Sequence, residues 1–240
     1  MSIRAFFVRT SLTVLFASHG AMLQAASLQV APVLVEVPTP AATATLKLHN
    51  EGTKPLDAQI RIFRWTQVDG ADSLTPTDDV AASPPAASLR PSTDYTVRVV
   101  RTTKEPVAKE ESYRLLIDEL PGPATGAAAS VSIALRYSIP VFFTVPGAAA
   151  APKLSWELQQ HANKPVIVVN NPGDRRVRLA KLKFTDGKGA VANFGDGLAG
   201  YVLGHSSRNF EVPASVKGFG TGGVVSMSAQ SDTGPIEAKR

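Results

Sequence analysis

From Leu28 onward, apolar and polar residues alternate with period two along most of the chain. Leu28 and Val30, then Val33, Val35 and Val37, predict a first strand that Pro38 and Pro40 close. Thr45–His49, Ala58–Thr66, Tyr95–Thr102 and Ser112–Leu120 repeat the pattern. Leu74–Pro91 is rich in Pro, Ser and Asp and reads as a long connection, and Pro121–Ser130 as a small-residue loop. Val131–Thr144 (VSIALRYSIPVFFT) reads as one long strand. The second half alternates over Leu154–Leu158, Pro165–Asn170, Arg176–Phe184, Gly200–Leu203, Asn209–Val212 and Gly223–Ala229. Glu51-Gly52, Val68–Gly70, Asn171-Pro172-Gly173, Asp186-Gly187 and Asp196-Gly197 are turn signals. The segment 146–152, PGAAAAP, has no large side chain and predicts a linker. With no amphipathic helix of useful length, the pattern predicts an all-β chain of two β-sandwiches, 27–145 and 153–240. Trp65 and Trp156 are expected in their two cores.

Residues 1–26 break the alternation. Arg4 and Arg9 give a positive start, Ser11 to Ala17 is mostly apolar, and Ala21, Ala25 and Ala26 follow. That is the layout of a secretory signal peptide, with Ala26 or Ser27 as first mature residue. A retained anchor is the alternative, but the apolar core falls short of the roughly 20 residues that span a bilayer. The mature chain is expected in the periplasm or outside the cell, without membrane insertion.

Composition narrows the chemistry. The chain has no cysteine among its 240 residues, which removes disulfides, thiolate metal sites and thiol catalysis together. Without Arg4 and Arg9, 23 basic residues face 20 acidic ones, a net of +3, with no basic run. Nucleic-acid binding is disfavoured. His19, His49, His161 and His205 have no ligand spacing, so no metal is expected. Gly204-His205-Ser206-Ser207 lacks a nucleophile elbow. Gly218–Gly223 opens no helix and reads as a loop rather than a phosphate cradle. No catalytic constellation and no cofactor is predicted.

The long strand carries a strict row: Val131, Ile133, Leu135, Tyr137, Ile139 and Val141. A strand usually runs about five or six residues, so part of this one is expected to stand beyond its sheet with its apolar row unpaired. Together with SLQVAPVLVEVP, TLKLHNEG, QIRIFRW, YTVRVVR, EESYRLLIDELP and NNPGDRRVRLAKLKF, in that order, it resembles the PapD-like periplasmic pilus chaperones. The resemblance covers nearly the whole mature chain. It is nearest the archaic chaperone–usher branch, which includes spore-coat-U-like (Csu-type) fibres. It implies two immunoglobulin-like domains at an angle, fibre subunits and an outer-membrane usher as partners, and no enzymatic role. It further implies donor-strand complementation: Val131, Ile133 and Leu135, with Tyr137 as a fourth, would plug the open groove of a subunit lacking its last strand. Inserting a strand would satisfy the subunit's unpaired backbone groups and cover an aggregation-prone edge.

One departure is clear. The best-known members hold the subunit's C-terminal carboxylate with an Arg in the first strand and a Lys late in the binding strand. Here Ser27–Val37 has neither, and the Lys position falls at about Pro140. Topology offers Arg101, Arg114 and Arg136 as replacement anchors; a solvated face or a pair with Glu110 or Glu111 is the simpler role for each. A secreted adhesive or structural fibre component is the alternative function, though such subunits usually carry a donor segment ahead of the fold. A secreted hydrolase or sugar-binding module would want clustered carboxylates or exposed aromatics.

Overall fold

The computed structural model describes residues 28–121, 134–147, 152–162, 164–220 and 222–239. The segment 1–26 read as a signal peptide, Val131, Ile133 and residues 148–151 of the expected linker lie outside the described residues. No helix occurs among the described residues.

The first half holds β1 (Leu28–Ala31), β2 (Val35–Pro38), β3 (Thr43–Asn50), β4 (Leu56–Val68), β5 (Ala71–Pro76), β6 (Val80–Ser83), β7 (Ala86–Leu89), β8 (Asp94–Arg101), β9 (Glu111–Leu120) and β10 (Arg136–Thr144). They form two sheets, β1-β3-β8-β6 and β2-β10-β9-β4-β5, with β7 joined to β4. The segment predicted as one strand from Leu28 to Val37 is thus two. β1 pairs with β3 in one sheet, and β2 runs parallel to the end of β10 in the other. The predicted long connection, Leu74–Pro91, contains all of β6 and β7 and the end of β5. These short strands are held by backbone pairing to β8 and β4. Val80 and Leu89 are their only fully buried apolar residues, so no alternation marks them.

The second half holds β11 (Ser155–His161), β12 (Lys164–Asn171), β13 (Val177–Asp186), β14 (Val191–Asn193), β15 (Leu198–Val202), β16 (Ser206–Glu211), β17 (Val224–Ser231) and β18 (Gly234–Lys239). Its sheets are β11-β12-β16 and β14-β13-β17-β18, with β15 joined to β13. Each half has its own core. Leu46, Leu48, Val97, Val99, Leu115 and Ile117 lie in the first; Ile167, Val169, Leu179, Leu182 and Phe184 lie in the second, with Trp156.

The two sandwiches share a local device. Asn50 donates to the carbonyls of Lys54 and Leu89 and accepts the Gly52 N–H. Asn171 donates to the carbonyls of Arg175, Val202 and Leu203 and accepts the Gly173 N–H. A buried amide that satisfies a turn in this way is tolerated where an unpaired one would be costly. The Asn-x-Gly signal seen at both turns marks the same corner twice.

A third cluster joins the halves: Trp65, Phe142, Tyr201 and Leu203, with Leu34 packed against it. Trp65 therefore fills the joint rather than the first core. Ile60, Ala58 and Leu56 point inward from β4, so odd-numbered Trp65 faces out of its own sandwich and is covered by the other. The Gln67 amide donates to the Tyr201 carbonyl at 2.8 Å and accepts the Leu203 N–H at 2.9 Å, as a neighbouring strand would. The β4–β5 turn, Asp69-Gly70, has both residues at positive φ, as the Asp-Gly signal predicts. Its Gly70 carbonyl accepts the Asn209 N–H at 2.8 Å, and Asn209 Nδ2 donates to the Asp69 carbonyl.

Gly70 is doubly constrained: its φ is 76°, and a Cβ there would lie 2.0 Å from Asn209 Oδ1. Gly70→Ala is expected to destabilise the joint by about 1–2 kcal/mol from the left-handed backbone alone, and by more from the clash. A lowered urea midpoint of the full chain checks this, with Asn209→Gly in the same chain relieving the steric part.

Candidate functional site: the edge of β10 and an arginine stacked on tryptophan

β10 is flanked unequally. On one side it pairs with β9 from Arg136↔Asp118 to Phe143↔Glu111. On the other, β2 covers only Val141–Thr144. Arg136–Pro140 therefore has no second neighbour among the described residues. Pro140, which lacks an N–H, sits where that edge opens, a position where proline removes no ladder bond. The β9 ladder continues one step past β10, since the Leu135 carbonyl accepts the Glu119 N–H at 2.9 Å.

The predicted apolar row is divided by this geometry. Ile139, Val141 and Phe143 are buried in the first core. Tyr137 packs at its rim, and its hydroxyl donates to the Leu28 carbonyl at 2.5 Å. Leu135, on the same parity, is half-buried. Tyr137 is thus already engaged by its own domain, while Leu135 stands where the sandwich ends. Val131 and Ile133 lie outside the described residues.

The even-numbered face of the strand looks outward. Arg136, Ser138, Pro140 and Phe142 of β10 lie beside Asp118, Leu116, Arg114 and Ser112 of β9. The three candidate cations now separate. Arg101 is nearly buried and bidentate on Glu111, at 2.8 and 2.9 Å, and also donates to the carbonyls of Thr103 and Glu105. Arg136 pairs with Asp118, which Arg61 also holds at 2.5 Å. Burial would raise the Asp118 pKa, but hydrogen bonds from Arg136 and Arg61 outweigh it and hold the carboxyl below its usual range.

Arg114 is different. Among the described residues it has no carboxylate within 4.0 Å. Its guanidinium lies 3.7 Å over the Trp65 ring, and Nη1 donates to the Ser138 carbonyl at 3.2 Å. Burial pushes its pKa down from the ordinary value. An arginine nevertheless stays charged, so this desolvated cation has no carboxylate in direct contact among the described residues and feels Asp72 only at longer range. Arg114 is also the register partner of Pro140, so it lies one strand across from that position on the same outer face.

Sequence reasoning missed the joint that surrounds this site. Arg176, on the second sandwich, crosses to Glu110 at 2.5 Å and to Glu36, and its Cζ lies 3.6 Å over the Phe142 ring. The Arg176 and Glu110 side chains are 4% and 2% exposed, a buried ion pair between the halves. One signal was available: Ile139–Phe143 is an unbroken apolar run, the mark of a strand covered on both faces.

Two β-sandwiches, one with a strand that has no second neighbour over Arg136–Pro140 among the described residues, leave an edge of the kind an extended segment can add to. The family model described as "Pili and flagellar-assembly chaperone, PapD N-terminal domain" matches residues 27–148, and the chain belongs to that family. A chain of the CsuC–CsuE chaperone–tip adhesion subunit complex from the archaic Csu pili of Acinetobacter baumannii matches with a TM-score of 0.70 at 24% identity, covering 88% of this chain and 98% of that one. The E. coli chaperone DraB gives 0.56 at 22% identity, with coverage of 89% and 98%. A chain of the Salmonella enterica SafA pilin–SafB chaperone complex gives 0.60 at 19%, with coverage of 89% and 96%. No curated protein sequence matches the chain.

Proposed function

We propose that this chain is a periplasmic chaperone that holds a surface-fibre subunit by donor-strand complementation and passes it to an outer-membrane usher. The observation that carries the reading is the edge of Arg136–Pro140, which has no second neighbour among the described residues and is continued by the half-buried Leu135. A subunit missing its last strand would take this edge as the missing ladder. Val131, Ile133 and Leu135 would enter its open core, and Tyr137 would join them only by releasing Leu28. Its C-terminal carboxylate would reach Arg114, whose two rivals are already neutralised. Kinship with pilus chaperones and the signal-like segment 1–26 support the periplasmic setting and the usher.

Co-expression with a candidate fibre subunit tests the reading. The expected result is a soluble one-to-one complex in the periplasmic fraction, with the subunit insoluble when expressed alone. Recovery of this chain within assembled fibres would instead favour the fibre-component function.

A further inference from the structure

Arg114 belongs to the first sandwich, yet the tryptophan it stacks on is covered by the second. We infer that Tyr201, on the second sandwich, is a positioning residue for carboxylate recognition, acting through Trp65 on Arg114. This deepens the reading of Arg114 given above and rests on it.

The chain of contacts is short. One face of the Arg114 guanidinium is set by the Trp65 ring, 3.7 Å away. A planar fork recognises a carboxylate with two parallel bonds, so its tilt decides whether both form. The tilt follows the indole. Trp65 is 2% exposed, although it projects from the outer face of its own sandwich. It is held there by Tyr201, edge-on at 5.6 Å and 86°, by Phe142 at 5.9 Å, and by its Nε1 donating to Asp72 at 3.0 Å. Tyr201 is in turn fixed by the Gln67 amide on its own carbonyl and on the Leu203 N–H. The Arg114 Cζ also lies 5.8 Å from the Tyr201 centroid, at the outer limit of a cation–π contact and far weaker than the 3.7 Å stack on the indole. The main influence of Tyr201 therefore runs through the indole. The second sandwich would thereby contribute to client recognition without lending a strand.

The test uses the full chain and a peptide of the last residues of the co-purified subunit, as free acid and as C-terminal amide. Wild type is expected to prefer the acid by about 10–100-fold, the range of a charge-assisted bond. Arg114→Ala should abolish that preference. Tyr201→Leu keeps an apolar contact but loses the ring edge. It should cut the preference about threefold or more while leaving amide binding within twofold of wild type. Tyr201→Phe, which keeps the ring, should retain the preference. Tyr201→Ala serves as a second variant if the leucine chain folds poorly. An unchanged acid-to-amide ratio in Tyr201→Leu or Tyr201→Ala overturns the inference, as does equal weakening of both peptides, the sign of a merely structural role. A ratio that survives Arg114→Ala overturns the underlying reading instead.

Discussion

Aspartate at both Ile133 and Leu135 is expected to weaken subunit binding by about 10²–10⁴-fold. Each plug would bury an apolar side chain worth about 1.5–3 kcal/mol, and a tenfold change in affinity is about 1.4 kcal/mol. The substituted chain should fold normally. Leu135 is half-buried at the rim, past the last residues of the first core. Titration of refolding subunit against the variant measures the loss, and circular dichroism confirms the fold. Binding at wild-type strength would remove donor-strand complementation from the account.

Arg176→Ala is the second large effect, at about 3–5 kcal/mol. It leaves buried Glu110 with only the longer, half-exposed Arg175 contact at 3.8 Å, and it strips the cation from the Phe142 face. The loss should appear as a lower urea midpoint and as unfolding that separates into two steps, since the pair bridges the sandwiches. It should also depend on pH. Burial already pushes the Glu110 carboxyl upward, partly offset by the Arg176 N–H and the Arg175 charge. With its partner gone, a folded-state value above the unfolded one means stability is greatest below the unfolded value and falls as pH rises through the folded value. The deficit should therefore shrink on acidification. Replacing both partners, Glu110→Leu with Arg176→Met, should cost far less, because no lone charge remains.

The sandwich architecture was legible because strand parity is local. The Asp69-Gly70 turn and the inward row ending at Phe143 follow from neighbouring residues alone. β6 and β7 were not legible, since backbone pairing to β8 and β4 needs no side-chain pattern. The fates of Arg114 and Arg136 turn on cross-strand register: Asp118 lies opposite Arg136, and Pro140 opposite Arg114, whereas Arg101 takes Glu111, one of the two carboxylates named for it from the sequence. No spacing along the chain encodes that. The joint was hidden for a related reason, as Trp65, Phe142 and Tyr201 come from three distant segments. Only the unbroken run Ile139–Phe143 hinted that a second surface covered β10.

The grip of the Asp69-Gly70 turn on Asn209 has a consequence for dissection. Cut at the linker, the first fragment would bare Trp65 and Phe142 to water. The second would bare Tyr201, Leu203 and the Asn209 N–H of β16. Both pieces would be prone to self-association at modest concentration. Each half of this molecule thus does for the other what the whole would do for a guest.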